Sequence, residues 1–409
     1  MIIRWFFFIS IIIALNWYSS LAIKTITKNP WIYYGYILLN FTILLNFIIQ
    51  IIFKSFTTYF FYSLGLVLVS SAFQFSVIIF LFVEDFIRFP LWMYRIISNG
   101  SENALGYIPQ RRLFVSQLSI LLASIPAGAL LIGMVRGKYN YKVIKHQLSF
   151  NRLPTNFEGF KIVHISDFHC GSFDNKEKLS YGIDLINQQK PDIILFTGDM
   201  VNNKADEIFP WKELITSLKA PFGKYAVLGN HDYGDYVQWN SEEEKTENLK
   251  KLISLENEMG FKVLNNTSEK IVIENQSIDI IGVENWGNGF KKKGDLNLAL
   301  KNTKEEDFKI LMSHDPTHWK EKVLTHQQTI DLTLSGHTHG MQFGIEIPGV
   351  IKWSPAKYRY KHWAGIYQDL NQLINVNRGF GFLAYPGRVG IYPEISLITL
   401  QNKKSSNII

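Results

Sequence analysis

The sequence predicts an α/β domain preceded by four membrane-spanning helices. Three features lead there: four long uncharged windows in the first 135 residues, an alternation of short apolar runs with helix-like stretches after them, and clusters of Asp, Asn and His that close several of those runs. Of 409 residues, 47% are hydrophobic and 19% charged. That balance is too apolar for an ordinary soluble domain and excludes a disordered or collagen-like chain. A single cysteine, Cys170, excludes a disulfide framework within a monomer. The net charge is +7, but residues 1–134 hold eight Lys/Arg against three Asp/Glu, and the remainder 34 against 32. The basic excess therefore flanks the apolar windows, and no nucleic-acid partner is expected.

The windows run from Trp5 to Ile23, Asn29 to Phe53, Ser55 to Val83 and Leu113 to Val135, without Asp, Glu, Lys or Arg. Each is near or above the roughly 20 residues that cross a bilayer. One such window could be a buried core helix; four in succession with aromatic or basic flanks indicate a membrane domain over residues 1–135. The first could instead be a cleaved leader, with Arg4 before the apolar run and Ser20-Leu21-Ala22 as a cleavage site. Loop cations divide six and six between the two sides, so sidedness stays open.

After Val135 the texture changes. Residues 136–160 read as a linker with a first strand, 161–401 as the main α/β domain and 402–409 as a polar tail. Lys161 to Ile165, Asp192 to Phe196, Tyr225 to Leu228, Ile278 to Val283, Ile310 to Met312 and Ile330 to Leu334 read as buried strands. Lys176 to Gln189 and Glu242 to Met259 read as helices, the second capped by Asn240-Ser241.

Five strand-like runs end in chemistry-bearing residues: Asp167-Phe168-His169, Gly198-Asp199, Gly229-Asn230-His231-Asp232, His314, and Gly336-His337-Thr338-His339. In extended chain, residues i and i+2 point to one side, so Asp167 with His169, and His337 with His339, can each grip one site. The glycines allow a sharp turn and a close approach to an ion or phosphate. Carboxylate, imidazole and amide donors without thiolate suit Mn, Fe or Zn. Any one of these motifs alone is weak: Asp-x-His is usually structural, and Gly-Asn-His-Asp is made of turn formers. Five in order, each after an apolar run, are not.

Together these motifs resemble the calcineurin-like metallophosphoesterases. The flanks Ile165-Ser166-Asp167-Phe168-His169, Arg378-Gly379-Phe380-Gly381 and Arg388 with Pro393-Glu394-Ile395 are similar to the bacterial membrane-associated YkuE-like and YaeI-like branch. The resemblance implies a four-layer α-β-β-α double β-sandwich and two divalent ions. One ion would take Asp167, His169, Asp199 and His339; the other, Asp199, Asn230, His314 and His337. His231 would serve as acid or phosphate-oxygen donor with Asp232 orienting its ring, and it also implies a bacterial cytoplasmic membrane. Two departures bear on pocket shape: Met341 stands where that branch commonly has a second glycine before Gln342, and Cys170 where an aliphatic residue is usual. Arg378 and Arg388 are candidate substrate-anion contacts, with surface salt bridging the competing reading.

Two ions and two carboxylates would leave a site of net positive charge, suited to phosphate and to attack by a metal-bridging hydroxide. The expected partners are the bilayer and a phosphoester, and tethering favours a lipid- or nucleotide-linked precursor cleaved at a phosphodiester or pyrophosphate bond. The alternatives are a broad phosphomonoesterase or protein phosphatase, and a noncatalytic binding scaffold.

Overall fold

The computed structural model describes residues 2–53, 58–99, 109–347 and 349–403. Lys54, part of the loop-charge count, and residues 404–409 of the expected tail lie outside these, as do the side chains of Arg4 and Arg95. Met1–Val135 and Arg136–Ile409 form two compact units.

In the first unit, α1 spans Ile2–Ile26, α2 Pro30–Ile52, α3 Thr58–Asn99 and α4 Pro109–Val135. Asn29 caps α2 by accepting from Trp31 N, with Pro30 preset in the first turn. The packed side of the bundle uses small or polar residues such as Ser19, Ser20, Ala22, Ser116 and Ala123, while Trp31, Leu38 and Phe41 point outward. That inside-out distribution belongs to a lipid environment, and all four helices are long and apolar enough to cross a membrane. The helices also outrun the uncharged windows. Past Val83, α3 carries Glu84 and Asp85 against Arg111 and Arg112 of α4: Arg112 Nη1 lies 2.7 Å from Glu84 and 2.9 Å from Asp85, and Tyr18 donates to Asp85 at 2.6 Å. Glu84 and Arg112 are buried, so the bundle does hold an internal charge cluster, self-neutralised as burial requires.

The second unit is built on two six-stranded sheets. Its strands are β1 (Lys142–Phe150), β2 (Lys161–Ile165), β3 (Ile193–Phe196), β4 (Lys224–Ala226), β5 (Phe261–Val263), β6 (Thr267–Ile273), β7 (Gln276–Gly282), β8 (Phe308–Met312), β9 (Leu332–Ser335), β10 (Ile345–Ile347), β11 (Ile351–Trp353), β12 (Gly365–Asp369), β13 (Gln372–Val376) and β14 (Glu394–Asn402). The first sheet has the order β1-β14-β2-β3-β4-β5, the second β12-β13-β9-β8-β7-β6, and β10 and β11 form a separate hairpin. Strands β2 to β5 run parallel, as do β7, β8, β9 and β13. Asn402, expected to open the tail, instead ends β14 and is buried opposite Phe150.

Alternation along the strands makes the layers. In β2, Ile162 joins Ile193, Leu195, Ile280, Ile310 and Leu332 between the sheets, while Val163 and Ile165 face the other way. That outer face is covered by α5 (Lys176–Gln188), α6 (Lys212–Thr216) and α7 (Glu242–Glu258), through residues such as Leu179, Ile183, Ile215, Leu252 and Leu255. Outside the second sheet, Ile281, Leu311 and Ile374 pack on α8 (Leu296–Ala299) and the turn at Trp319–Val323. The result is the four-layer α-β-β-α arrangement. Ser241 caps α7 by accepting from Glu244 N, and Asn175 caps α5 from Lys178 N. His164 faces inward between the sheets, bonded to Thr197 Oγ1 at 2.9 Å and Asn375 at 2.8 Å. Burial pushes its pKa down to about 3, so it is a neutral core histidine.

Candidate metal centre

The parallel strands of both sheets end side by side, and the loops that leave them carry the candidate donors. The backbone there is unusual: φ is +54° at Asp167, +50° at His169, +60° at Asp199, +72° at His337 and +49° at His339. Left-handed backbone costs a residue with a Cβ roughly 1–2 kcal/mol. The loops also approach one another closely; a Cβ on Gly336 would lie 1.8 Å from Ser166 Oγ and one on Gly229 2.2 Å from Asp199 Oδ1. Met341, in place of the glycine expected there, is itself left-handed at +48°, followed by Gln342 at +57°.

The loops bring six Asp and His donors and Asn230 together. In one group His339 Nε2 lies 3.2 Å from Asp167 Oδ1 and 3.0 Å from His169 Nε2. In the other, His314 Nε2 lies 3.2 Å from Asp199 Oδ2 and 3.2 Å from Asn230 Oδ1, and His337 Nδ1 lies 2.8 Å from the same Asn230 oxygen. Within each group the Asp and His ligand atoms fall within 4.8 Å of one another. Asp199 Oδ2 is also 3.6 Å from His169 Nε2, so one carboxylate faces both groups. Buried acceptor-capable atoms turned toward each other, carboxylate, imidazole and amide oxygen, fit divalent cations.

Three of the four imidazoles are held from behind, whereas His169 Nδ1 is buried without a hydrogen-bond partner. His314 Nδ1 donates to the Thr197 carbonyl at 2.7 Å, Tyr360 OH lies 2.8 Å from His337 Nε2, and Arg388 Nη2 donates to His339 Nδ1 at 3.1 Å. Such outer contacts fix which nitrogen faces the site. Burial alone would raise Asp199, but His314 and His231 outweigh it and hold the carboxyl well below its usual range. Burial works against charge on His314 as well, yet the Asp199 carboxylate lifts it to about 10. His169 goes the other way, pushed well down by burial.

Three expected roles are corrected by the geometry. Asp232 does not orient His231. It is fully buried and accepts from the backbone N–H of Asp199, Met200, Val201 and Gly229 at 2.8–3.3 Å, tying the two loops together; burial, then the neighbouring Asp199, raises it to about 7. The His231 ring is oriented by the Asn202 carbonyl, 2.8 Å from Nδ1, and flanked by Tyr236 with ring centroids 4.4 Å apart. Arg378 is neither a free anion contact nor a surface bridge: it is buried and engaged by Glu394 and by Glu346 at 2.6 Å. Arg388 is fully buried, donating to the carbonyls of Gly379, Gly381 and Ile391 as well as to His339. Both guanidiniums are occupied by the protein. Asn202, Tyr236 and Tyr360 were invisible to motif reading, since none lies in a motif.

A model described as "Probable Calcineurin-like phosphoesterase, transmembrane domain" matches residues 3–138, and the "Calcineurin-like phosphoesterase" model matches residues 160–341. The metallophosphoesterase YkuE of Bacillus subtilis is 32% identical over 69% of this chain and 95% of its own length. The chain belongs to the calcineurin-like phosphoesterases. It is a metal-dependent phosphoesterase and an integral membrane protein. A metallophosphoesterase of Aquifex aeolicus is 28% identical over 65% of this chain and 94% of its own length. The UDP-2,3-diacylglucosamine pyrophosphatase LpxG of Chlamydia muridarum is 28% identical over 56% of this chain and 81% of its own length.

Proposed function

We propose that this phosphoesterase uses two divalent ions to hydrolyse a phosphodiester or pyrophosphate bond in a lipid- or nucleotide-linked envelope precursor at a bacterial cytoplasmic membrane. The observation that carries the reading is the Asp199 carboxylate, 3.6 Å from His169 and 3.2 Å from His314, between two donor groups. One ion is assigned Asp167, His169, Asp199 and His339; the other, Asp199, Asn230, His314 and His337. Mn, Fe or Zn suit these donors. Such ions supply Lewis acidity toward phosphoryl oxygen and make water at the site more acidic. His231, with Nδ1 turned to the Asn202 carbonyl, keeps Nε2 free to hold a proton for the leaving oxygen.

The substrate class is supported by three further features. Four membrane helices place the enzyme where amphipathic phosphoesters are. A recess of about 170 Å³ beside Tyr360 is lined by Lys320, Arg359 and Lys361 against one acidic residue, Glu321, a cationic excess suited to a second phosphate. The relative LpxG bears a name that describes cleavage of a nucleotide-linked diacyl sugar. The test is metal-dependent hydrolysis by the detergent-purified chain of a nitrophenyl monoester, a nitrophenyl diester and a UDP-linked diacyl sugar, beside Asp199→Ala and His231→Ala. Highest kcat/KM on the UDP-linked lipid, lost in Asp199→Ala, is the expected result. Preference for the monoester would replace this reading with a phosphomonoesterase, and turnover of soluble esters alone would sink the lipid-linked one.

A further inference from the structure

The chain leaves the donor loop at His339, makes the β10–β11 hairpin, and returns at Tyr360, whose hydroxyl lies 2.8 Å from His337. This hairpin is amphipathic the wrong way round for a soluble protein. Register pairs Ile345 with Trp353, Glu346 with Lys352 and Ile347 with Ile351. The polar pair faces the body: Glu346 accepts from Arg378, and Lys352 donates to the Ala364 carbonyl. The alternate positions carry the apolar side chains outward. Ile345 is 50% exposed, Ile347 51%, Ile351 42%, and Val350 at the tip 79%; Met341, Phe343 and Tyr358 extend the patch.

The hairpin is firmly mounted. Gly344 N donates to the Val389 carbonyl at 2.9 Å, Ser354 Oγ to the Gly340 carbonyl at 2.6 Å, and Ala356, Tyr360, Trp363, Ala364 and Ile391 form a small core beneath it. Arg378, with Glu394 on its other side, anchors it to β14. A rigid strand face of this composition signals an apolar partner rather than a frayed loop.

We infer that the β10–β11 hairpin dips its Ile345, Ile347, Val350 and Ile351 face into the interfacial layer of the bilayer that holds the four helices. Two observations choose the bilayer as occupant. The catalytic unit follows directly on a membrane helix of the same chain, α4 ending at Val135 and the unit beginning at Arg136. Between Met341 and Lys361 the charged residues are Lys352, Lys357, Arg359 and Lys361 against Glu346 alone, with Lys357, Arg359, Lys361 and Tyr358 exposed. Apolar side chains edged by cations and aromatic rings match an anionic headgroup boundary. The inference rests on the membrane domain and the hairpin, and holds whichever phosphoester is the substrate.

The test uses the full chain in vesicles of phosphatidylethanolamine and phosphatidylglycerol that contain acyl-chain spin-labelled lipid. An environment-sensitive fluorophore is placed at Val350→Cys, or at Val272→Cys on β6 as an exposed control; Cys170 is buried and resists labelling. The expected result is a blue-shifted Val350 probe quenched by the spin label, with the Val272 probe unaffected. Ile347→Asp with Ile351→Asp should abolish the blue shift and quenching of the Val350 probe and lower turnover of a long-chain phosphodiester in vesicles by about tenfold, with hydrolysis of a soluble nitrophenyl diester unchanged. A Val350 probe that stays solvent-like, or is quenched only by crowding of labelled protein copies, overturns the inference. Quenching together with no cleavage of any lipid-linked ester would leave the hairpin's placement standing and reject the proposed substrate instead.

Discussion

The two donor groups share Asp199 but are held by opposite means. Asp167, His169 and His339 are enclosed on all sides and backed by a cation, Arg388, itself locked onto three backbone carbonyls. Asn230, His314 and His337 are backed by oxygens instead: the Thr197 carbonyl, the Tyr360 and Tyr236 hydroxyls and, 3.6 Å from His337 Nε2, the buried Asp315 carboxylate. Both groups are buried, but the first is backed by positive charge and the second by neutral and acidic oxygens. Support from a guanidinium that also ties three carbonyls is hard to remove without unfolding; support from a single hydroxyl is adjustable.

The largest effect should come from breaking what the groups share. Asp199→Asn is expected to lower kcat by about 10³-fold or more and to release metal from both groups, whereas Asp167→Asn should release it from one. Metal content by mass spectrometry beside kcat decides this, and an Asp199→Asn enzyme that keeps two ions would end the shared-carboxylate reading. Next comes the contrast in supports. Arg388→Met leaves buried carbonyls without donors and should cost about 3 kcal/mol or more in denaturant unfolding of the solubilised chain. Tyr360→Phe should leave unfolding unchanged and weaken metal affinity about tenfold. Equal destabilisation by the two would erase the distinction between the two kinds of support.

The smallest effect is a pH dependence behind the second group. His318, buried and bonded to Ser313 Oγ at 2.8 Å beside His314, has its pKa pushed down to about 3 by burial and then by Lys322. A histidine with a depressed folded pKa binds its proton more readily when unfolded, so folding loses stability as pH falls below its unfolded value near 6.5. Between pH 7 and 5 the loss should be roughly 1–2 kcal/mol from this residue. Denaturant midpoints at the two pH values should converge in His318→Asn; an unchanged slope would remove His318 as the cause.

What was legible in the sequence follows from what is local. Strand β2 and the loop after it can be read because apolar alternation and Asp-x-His lie within nine residues of chain, and α7 because its cap and acidic first turn are adjacent. Asp232 misleads for the same reason. It neighbours His231 in sequence, but the turn at the end of β4 carries its carboxylate back to the N–H groups of residues 199–201, a contact across 31 to 33 positions. Arg378 and Arg388 look like anion binders beside a phosphate site, and only the tertiary placement of Glu346, Glu394 and three carbonyls shows them occupied. The hairpin escaped because strands of three residues carry too little periodicity to read.

The left-handed backbone at Asp167, His169, Asp199, His337 and His339 reverses a familiar ranking of replacements. Glycine is ordinarily the more damaging substitute because it loosens the unfolded chain. At these five places alanine would keep the steric conflict while discarding the donor, and glycine would relieve it, so each glycine variant should exceed its alanine counterpart in unfolding free energy by about 1 kcal/mol. A lineage released from catalysis would drift toward glycine at these positions, leaving a scar by which an inactive descendant could be recognised from its sequence.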